Sequence, residues 1–251
     1  MDPAHTQASH RVRMEWGPTG ATATAAGTDL AVVVDVLSFS TTLTVAVERG
    51  IEVLPFGWRD ERAKAYAEEN GAVLAVGRLE ARSAPGVVSL SPASLLAVSG
   101  VDRIVLPSPN GSSISFGLAR TVAAVVGGCL RNRRAVASYV ARHGGVVTVV
   151  AAGERWPDDS LRPAVEDLWG AGAVLAALVD LGIGDLSPEA RMAEAASRAV
   201  EPVLAEAMRD CASGRELVAG GFAEDVEVAA VLDASDVVPV LVGQGFIKVP
   251  W

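Results

Sequence analysis

The chain has 251 residues, half of them hydrophobic and 20% charged, with 21 Lys and Arg against 30 Asp and Glu for a formal net charge of −9. That length and apolar content support one large folded core or two small ones, and exclude disordered, collagen-like and low-complexity classes. The acidic balance disfavours nucleic acid and anionic lipid as partners.

In chain order, residues 1–27 are rich in small and polar types and are expected to be loosely ordered, with 28–251 as the folded domain. The β-branched run 30–37 has no helical period and reads as a strand buried on both faces. Similar runs recur at 52–55, 73–76, 103–106, 121–126 and 146–151. Between them lie helical patterns at 42–49, at 60–70 behind a capping Asp60, and at 133–143 ahead of Gly144-Gly145. Ala-rich helices follow at 166–181, at 188–208 behind Ser187, and near 222–232, so 166–232 is a candidate helical subdomain. Two strands, 237–242 and 246–249, close the chain. Strands alternating with helices predict an α/β fold.

Several chemistries drop out on residue content. No apolar run reaches the roughly 18 residues that span a bilayer, and Met1-Asp2-Pro3 opens without a basic and then apolar leader. A cytoplasmic protein away from membranes is therefore expected. Cys129 and Cys211 share no ligand spacing with His5, His10 or His143, which removes zinc and disulfide frameworks and assigns any metal to oxygen donors. A haloacid-dehalogenase-type phosphatase needs a second Asp where Leu37 stands, and a cysteine phosphatase needs Arg where Ala135 stands. No phosphate-binding Gly-x-x-x-x-Gly-Lys loop is present. A homodimer is expected from oligomer frequencies alone.

In an open α/β sheet, ligands collect beyond the carboxyl ends of the strands, where helix N-termini favour anions. Two loops have that form. One is Asp35 followed by Ser38, Ser40, Thr41 and Thr42; the other is Ser108-Pro-Asn110-Gly111-Ser112-Ser113. A third segment, Gly153-Glu154-Arg155, leads toward Glu166 and Asp167. Each also has a plain structural reading. The hydroxyls would cap helices, Asp35 would be a buried acceptor, and Glu166 and Asp167 would complement a helix dipole. Under the functional reading, Arg78, Arg131 or Arg155 would pair with a phosphate or with a second acidic group.

The motifs Val32-Val-Val-Asp35-Val-Leu-Ser-Phe-Ser-Thr41-Thr42, Ser108-Pro-Asn110-Gly111-Ser112, Gly128-Cys-Leu-Arg131-Asn132, Ala152-Gly153, Glu166-Asp167 and Gly170-Ala-Gly172 follow in that order. With them the chain resembles the 2-phosphosulfolactate phosphatase, or ComB-like, family from about Leu30 onward. The resemblance implies a mixed, mostly parallel sheet with flanking helices. It also implies Mg²⁺-dependent release of phosphate from 2-phosphosulfolactate or a related small phosphorylated hydroxy acid, in the route to coenzyme M. On the same basis Asp35, Glu166 and Asp167 would form the catalytic and metal-binding acidic side, and Ser40, Thr41, Asn110 and Gly111 would line the phosphate site. The family usually carries Arg where Ser38 stands, Gly-Glu where Gly77-Arg78 stands, and Asn where Leu90 stands. Those departures bear on which acid the pocket accepts. The contrasting expectation is a non-catalytic small-anion binding protein that keeps the fold.

Overall fold

Leu30–Val34 is wholly buried, with Leu30, Val32 and Val34 in one core and Ala31 and Val33 in another. A strand without hydrophobic alternation needs such two-sided cover, and it therefore lies inside a sheet with helices on both faces. The computed structural model describes residues 2–57, 60–83 and 87–250. In chain order the first half comprises β1 (Val12–Trp16), α1 (Gly17–Thr24), β2 (Leu30–Val34), α2 (Phe39–Glu48), β3 (Glu52–Phe56), α3 (Glu61–Glu69), β4 (Val73–Leu74), α4 (Arg78–Ser83), α5 (Pro92–Leu95), β5 (Arg103–Pro107) and α6 (Gly111–Leu118). Next come β6 (Ala124–Gly128), α7 (Arg133–His143), β7 (Val147–Ala151) and a small ribbon of β8 (Glu154–Arg155) and β9 (Leu161–Arg162). The helices α8 (Val165–Asp180), α9 (Pro188–Val200), α10 (Leu204–Asp210), α11 (Ala212–Ala219) and α12 (Ala223–Ala230) lead to a closing hairpin of β10 (Pro239–Val242) and β11 (Gly245–Lys248).

The nine-stranded sheet has the order β1-β7-β2-β6-β10-β11-β3-β5-β4. Strands β1, β7, β2 and β6 form one parallel group and β3, β5 and β4 another. The antiparallel hairpin β10–β11 joins them, so the two groups run in opposite nominal directions. Strands twist by roughly 20–25° per step, and five steps separate β2 from β5. The accumulated rotation of roughly 100–125° turns the two groups from opposed toward crossed directions. The loops that follow them meet, where Gly111, just beyond β5, donates its N–H to Asp35, just beyond β2.

Several local expectations are met by the caps. Asp60 accepts from the Arg62 N–H at 3.0 Å, Ser187 accepts from the Ala190 N–H at 3.1 Å, and Gly144 ends α7 at φ 73°. Others need correction. The run 30–37 leaves the strand after Val34, and the strand expected at 121–126 lies at Ala124–Gly128. The helix expected over 188–208 breaks into α9, a 3₁₀ turn at Glu201–Val203 and α10, since Pro202 has no N–H to donate.

The segment expected to be loose contributes an edge strand. Strand β1 pairs with β7 from Val12 opposite Val147 to Trp16 opposite Ala151, and Val12 and Met14 enter the core. The Gln7 amide takes the place of a further strand: its Oε1 accepts from Met14 N–H at 3.2 Å and its Nε2 donates to Met14 O at 2.8 Å. Among the described residues no helix is long and apolar enough to cross a membrane.

Helices α8 and α9 pack at close range through small residues. A Cβ on Gly172 would stand 2.0 Å from the Ala193 carbonyl oxygen. Ala favours a helix interior over Gly by about 1 kcal/mol. Overlap with an immovable backbone atom outweighs that gain, because the helices must separate. Gly172→Ala is expected to cost about 2 kcal/mol net and lower Tm by about 4–8 °C, measured by calorimetry.

Candidate active site

Beyond the ends of β2, β5 and β7 lies a pocket of about 430 Å³ lined by Asp35, Ser38, Phe39, Ser108, Asn110 and Glu154, with Arg78, Arg155 and Arg162 among the other walls. Asp35 is its organising residue. One carboxylate oxygen accepts from the Phe39 N–H at 3.1 Å and the other from the Gly111 N–H at 3.0 Å. These are the first residues of α2 and α6, so two helix N-termini converge on one negative charge, which their dipoles favour. Gly111 is required by this approach, since a Cβ there would lie 2.2 Å from the Phe39 ring.

The hydroxyls after Asp35 divide by direction. Ser40 Oγ donates to Asp35 O and accepts from Asp35 N–H, Thr41 Oγ1 donates to Val36 O, and Ser112 Oγ donates to Leu106 O, each bond between 2.8 and 3.0 Å. All three side chains are fully buried and brace the loops, whereas Asn110 of the expected phosphate site lines the pocket. Thr42 lines the pocket while its hydroxyl is committed to Leu90 O at 2.9 Å. Ser38 remains at the surface of the pocket, where its Oγ accepts from Arg78 Nη2 at 2.8 Å.

Arg78 is held from behind. Its Nε donates to Asp225 Oδ2 at 2.5 Å, and Asp225, nearly inaccessible, also accepts from Ser91 Oγ and from the Ala93 N–H. On another wall Asn110 joins two charged groups: its Nδ2 donates to Glu154 Oε2 at 2.9 Å and its Oδ1 accepts from Arg155 Nε at 3.4 Å. Arg131 lies elsewhere. It donates to Val228 O at 3.0 Å and stands 3.9 Å from Glu48 at the far end of α2, so it ties α12 to the sheet and does not line the pocket.

Glu166 and Asp167 sit buried in the first turn of α8 and do not line the pocket. Asp167 accepts from the Val36 N–H at 2.7 Å and from the Gly153 N–H at 2.8 Å, clamping the loop after β2 to the loop after β7. Glu166 is buried beside Cys211, whose thiol is pushed up to about 12 by burial and then by the Glu166 charge. Glu154 and Asp167 both lie in the field of Asp35 and Glu166. Burial, then the Asp35 charge, lifts Glu154 to about 7 despite the Asn110 hydrogen bond. Burial, then Asp35 and Glu166, lifts Asp167 well above the usual carboxylate range despite its two backbone N–H bonds.

Among the described residues no three His, Cys, Asp or Glu side chains are grouped to hold a metal ion. The expected ligand set Asp35, Glu166 and Asp167 is thus not assembled as a closed cage, because Asp35 lines the pocket while Glu166 and Asp167 do not. Mg²⁺ asks for less: one or two carboxylates, with substrate oxygens and water completing its shell. Asp35 is a hard oxygen donor in the pocket, and a cation beside it would relieve the repulsion that lifts Glu154. The residues present fit Mg²⁺ in that open form.

Glu154, Arg162, Ser213 and Asp225 are site residues that the motif reading did not single out as such. Glu154 carried a signal, a carboxylate directly after a glycine turn at the end of a strand. Arg162 and Ser213 carried none, because they reach the pocket through the β8–β9 ribbon and α11.

The 2-phosphosulpholactate phosphatase family model matches residues 19–244. A Methanothermobacter thermautotrophicus protein named "2-phosphosulfolactate phosphatase" is 32% identical over 216 residues, 85% of this chain and 87% of its own. Proteins named "Probable 2-phosphosulfolactate phosphatase" from Deinococcus radiodurans (32% over 219 residues; 85% and 88%) and Carboxydothermus hydrogenoformans (31% over 212 residues; 83% and 84%) are similar over comparable spans.

Proposed function

Since the chain belongs to the 2-phosphosulfolactate phosphatase family, we propose that it is a Mg²⁺-dependent phosphomonoesterase that cleaves 2-phosphosulfolactate, or a related small phosphorylated hydroxy acid, to the free hydroxy acid and phosphate. The observation that carries this reading is the pocket itself, in which an aspartate fixed by two helix N-termini stands with a carboxyl poised near neutrality and three arginines.

Asp35 is the residue that would hold Mg²⁺, which when bound supplies charge neutralisation for the phosphate and acidifies water. Arg78 and Arg155 offer planar donors to the equatorial phosphoryl oxygens, and Asp225 and Asn110 fix their positions. Ser38 and Ser108 add hydroxyl donors at the pocket surface. Glu154, whose carboxyl is lifted to about 7 in the metal-free protein by burial and then by the Asp35 charge, is the group placed to exchange a proton with the attacking water or the leaving oxygen. The Ser38–Arg78 contact puts a cation beside position 38, where the family usually carries an arginine of its own. This arrangement supports retention of anion chemistry with altered choice of acid.

Phosphate release from a panel of phosphorylated hydroxy acids that includes 2-phosphosulfolactate, with Mg²⁺ and with chelator, tests the reading. Metal-dependent turnover with one preferred acid is expected. No turnover on any of them, with thermal stabilisation by one, would identify an anion-binding protein instead.

A further inference from the structure

The ribbon β8–β9 places Glu154 directly opposite Arg162. Cross-strand neighbours project to the same face, and both side chains line the pocket that holds Asp35. The three arginines of that pocket are employed differently. Arg78 is paired with Asp225 and bonded to Ser38. Arg155 donates to the Asn110 amide and to the Asp159 and Pro109 carbonyls. Arg162 makes one long contact, 3.4 Å to Ser213 Oγ, and its guanidinium lies 5.8 Å from the Trp156 ring centre. Among the described residues it forms no ion pair. A guanidinium has five N–H donors in a fixed fork, so this one keeps bidentate capacity while half-buried in a binding pocket.

Ser213 is 5% exposed and lies in the first turn of α11, next to Gly214, whose N–H is taken by Cys211 Sγ at 3.3 Å. Its hydroxyl thus stands beside Arg162 on a rigid element. A Cβ on Gly214 would meet the Met208 carbonyl at 1.8 Å, so α10 and α11 are locked at this corner.

We propose that Arg162 and Ser213 form a second anion subsite that takes a non-reacting acidic group of the substrate, a carboxylate or sulfonate, and thereby determine specificity. This rests on the phosphatase reading for its turnover arm only. Arg162 selects for substrates bearing two acidic groups over simple phosphate monoesters, because a bidentate oxyanion contact is available only to the former.

The test pairs kinetics with binding. In Arg162→Gln, the ratio of kcat/KM for a phosphorylated hydroxy acid to that for p-nitrophenyl phosphate is expected to fall by about 30-fold, chiefly through KM for the acid, with partial recovery in Arg162→Lys. Ser213→Ala is expected to lower the ratio by about 3-fold. An unchanged ratio, with both substrates affected alike, overturns the proposal and assigns Arg162 to the phosphoryl end or to folding. Calorimetric titration with unphosphorylated 3-sulfolactate reads the subsite without turnover. At least tenfold weaker binding to Arg162→Gln than to wild type supports it, and equal affinity overturns it. Absence of turnover in the wild type would overturn the phosphatase reading while this titration still decides the subsite.

Discussion

Asp35→Asn is expected to lower Mg²⁺-dependent phosphate release by about 10³-fold while the chain stays folded. The carboxylate is the point at which the N-termini of α2 and α6 meet, so its charge cannot be supplied from elsewhere in the loop. Two effects on stability oppose each other. The new amide would set one N–H₂ against the Phe39 or Gly111 N–H, at a cost of about 1–3 kcal/mol. Removing a negative charge relieves Glu154 and Asp167, both of which Asp35 pushes upward. A phosphate-release assay and a denaturation curve on the same preparation separate these consequences. Retained turnover would remove Asp35 from the mechanism, and loss of the folded state would show that its hydrogen bonds outweigh the repulsion.

Glu154→Gln is expected to change activity and stability with opposite signs. Its carboxyl sits at about 7 in the folded chain against an ordinary 4.5. Folding therefore favours the protonated form. That contribution is fully present below pH 4.5 and is lost as pH rises through about 7. Above that range the folded protein carries an ionised, largely buried carboxylate that glutamine does not impose. The variant should be more stable than wild type by about 3 kcal/mol at pH 8 and no more stable at pH 4, measured by urea denaturation in chelator. Glutamine still accepts from Asn110 Nδ2, so the wall is preserved. It holds no titratable proton, and kcat should fall by about 10²–10⁴-fold with loss of the pH limb that Glu154 sets. A variant with the wild-type pH profile would exclude Glu154 from proton transfer. A functional carboxylate held at the expense of stability is the usual condition of an active site.

The parts readable from the letters are those set by local pattern. The two-sided apolar run Leu30–Val34, the caps at Asp60 and Ser187, and the placement of Asp35 and Asn110 after strands all follow from burial periodicity and turn chemistry. Those signals carry no direction for a side chain. Ser40, Thr41 and Ser112 look as available as Ser38, yet they are bonded to backbone carbonyls of their own loops, while Ser38 alone meets an arginine. The helix expected over 188–208 runs through Pro202, the letter that marks the break between α9 and α10. Strand β1 was hidden, because an edge strand of five residues is defined by its register on β7 and not by its own alternation.

The α/β class, the family and the aspartate at the end of an interior strand are legible from the letters, since each depends on residues close together in the chain. Tertiary structure decided the composition of the pocket walls. The loops that follow β2 and β5 meet although five strand positions separate the strands. The β8–β9 ribbon turns Arg162 toward Glu154, and Asp225 reaches across 147 positions to hold Arg78. Contacts between residues so far apart are chosen by packing of whole elements, and no short stretch of letters encodes them.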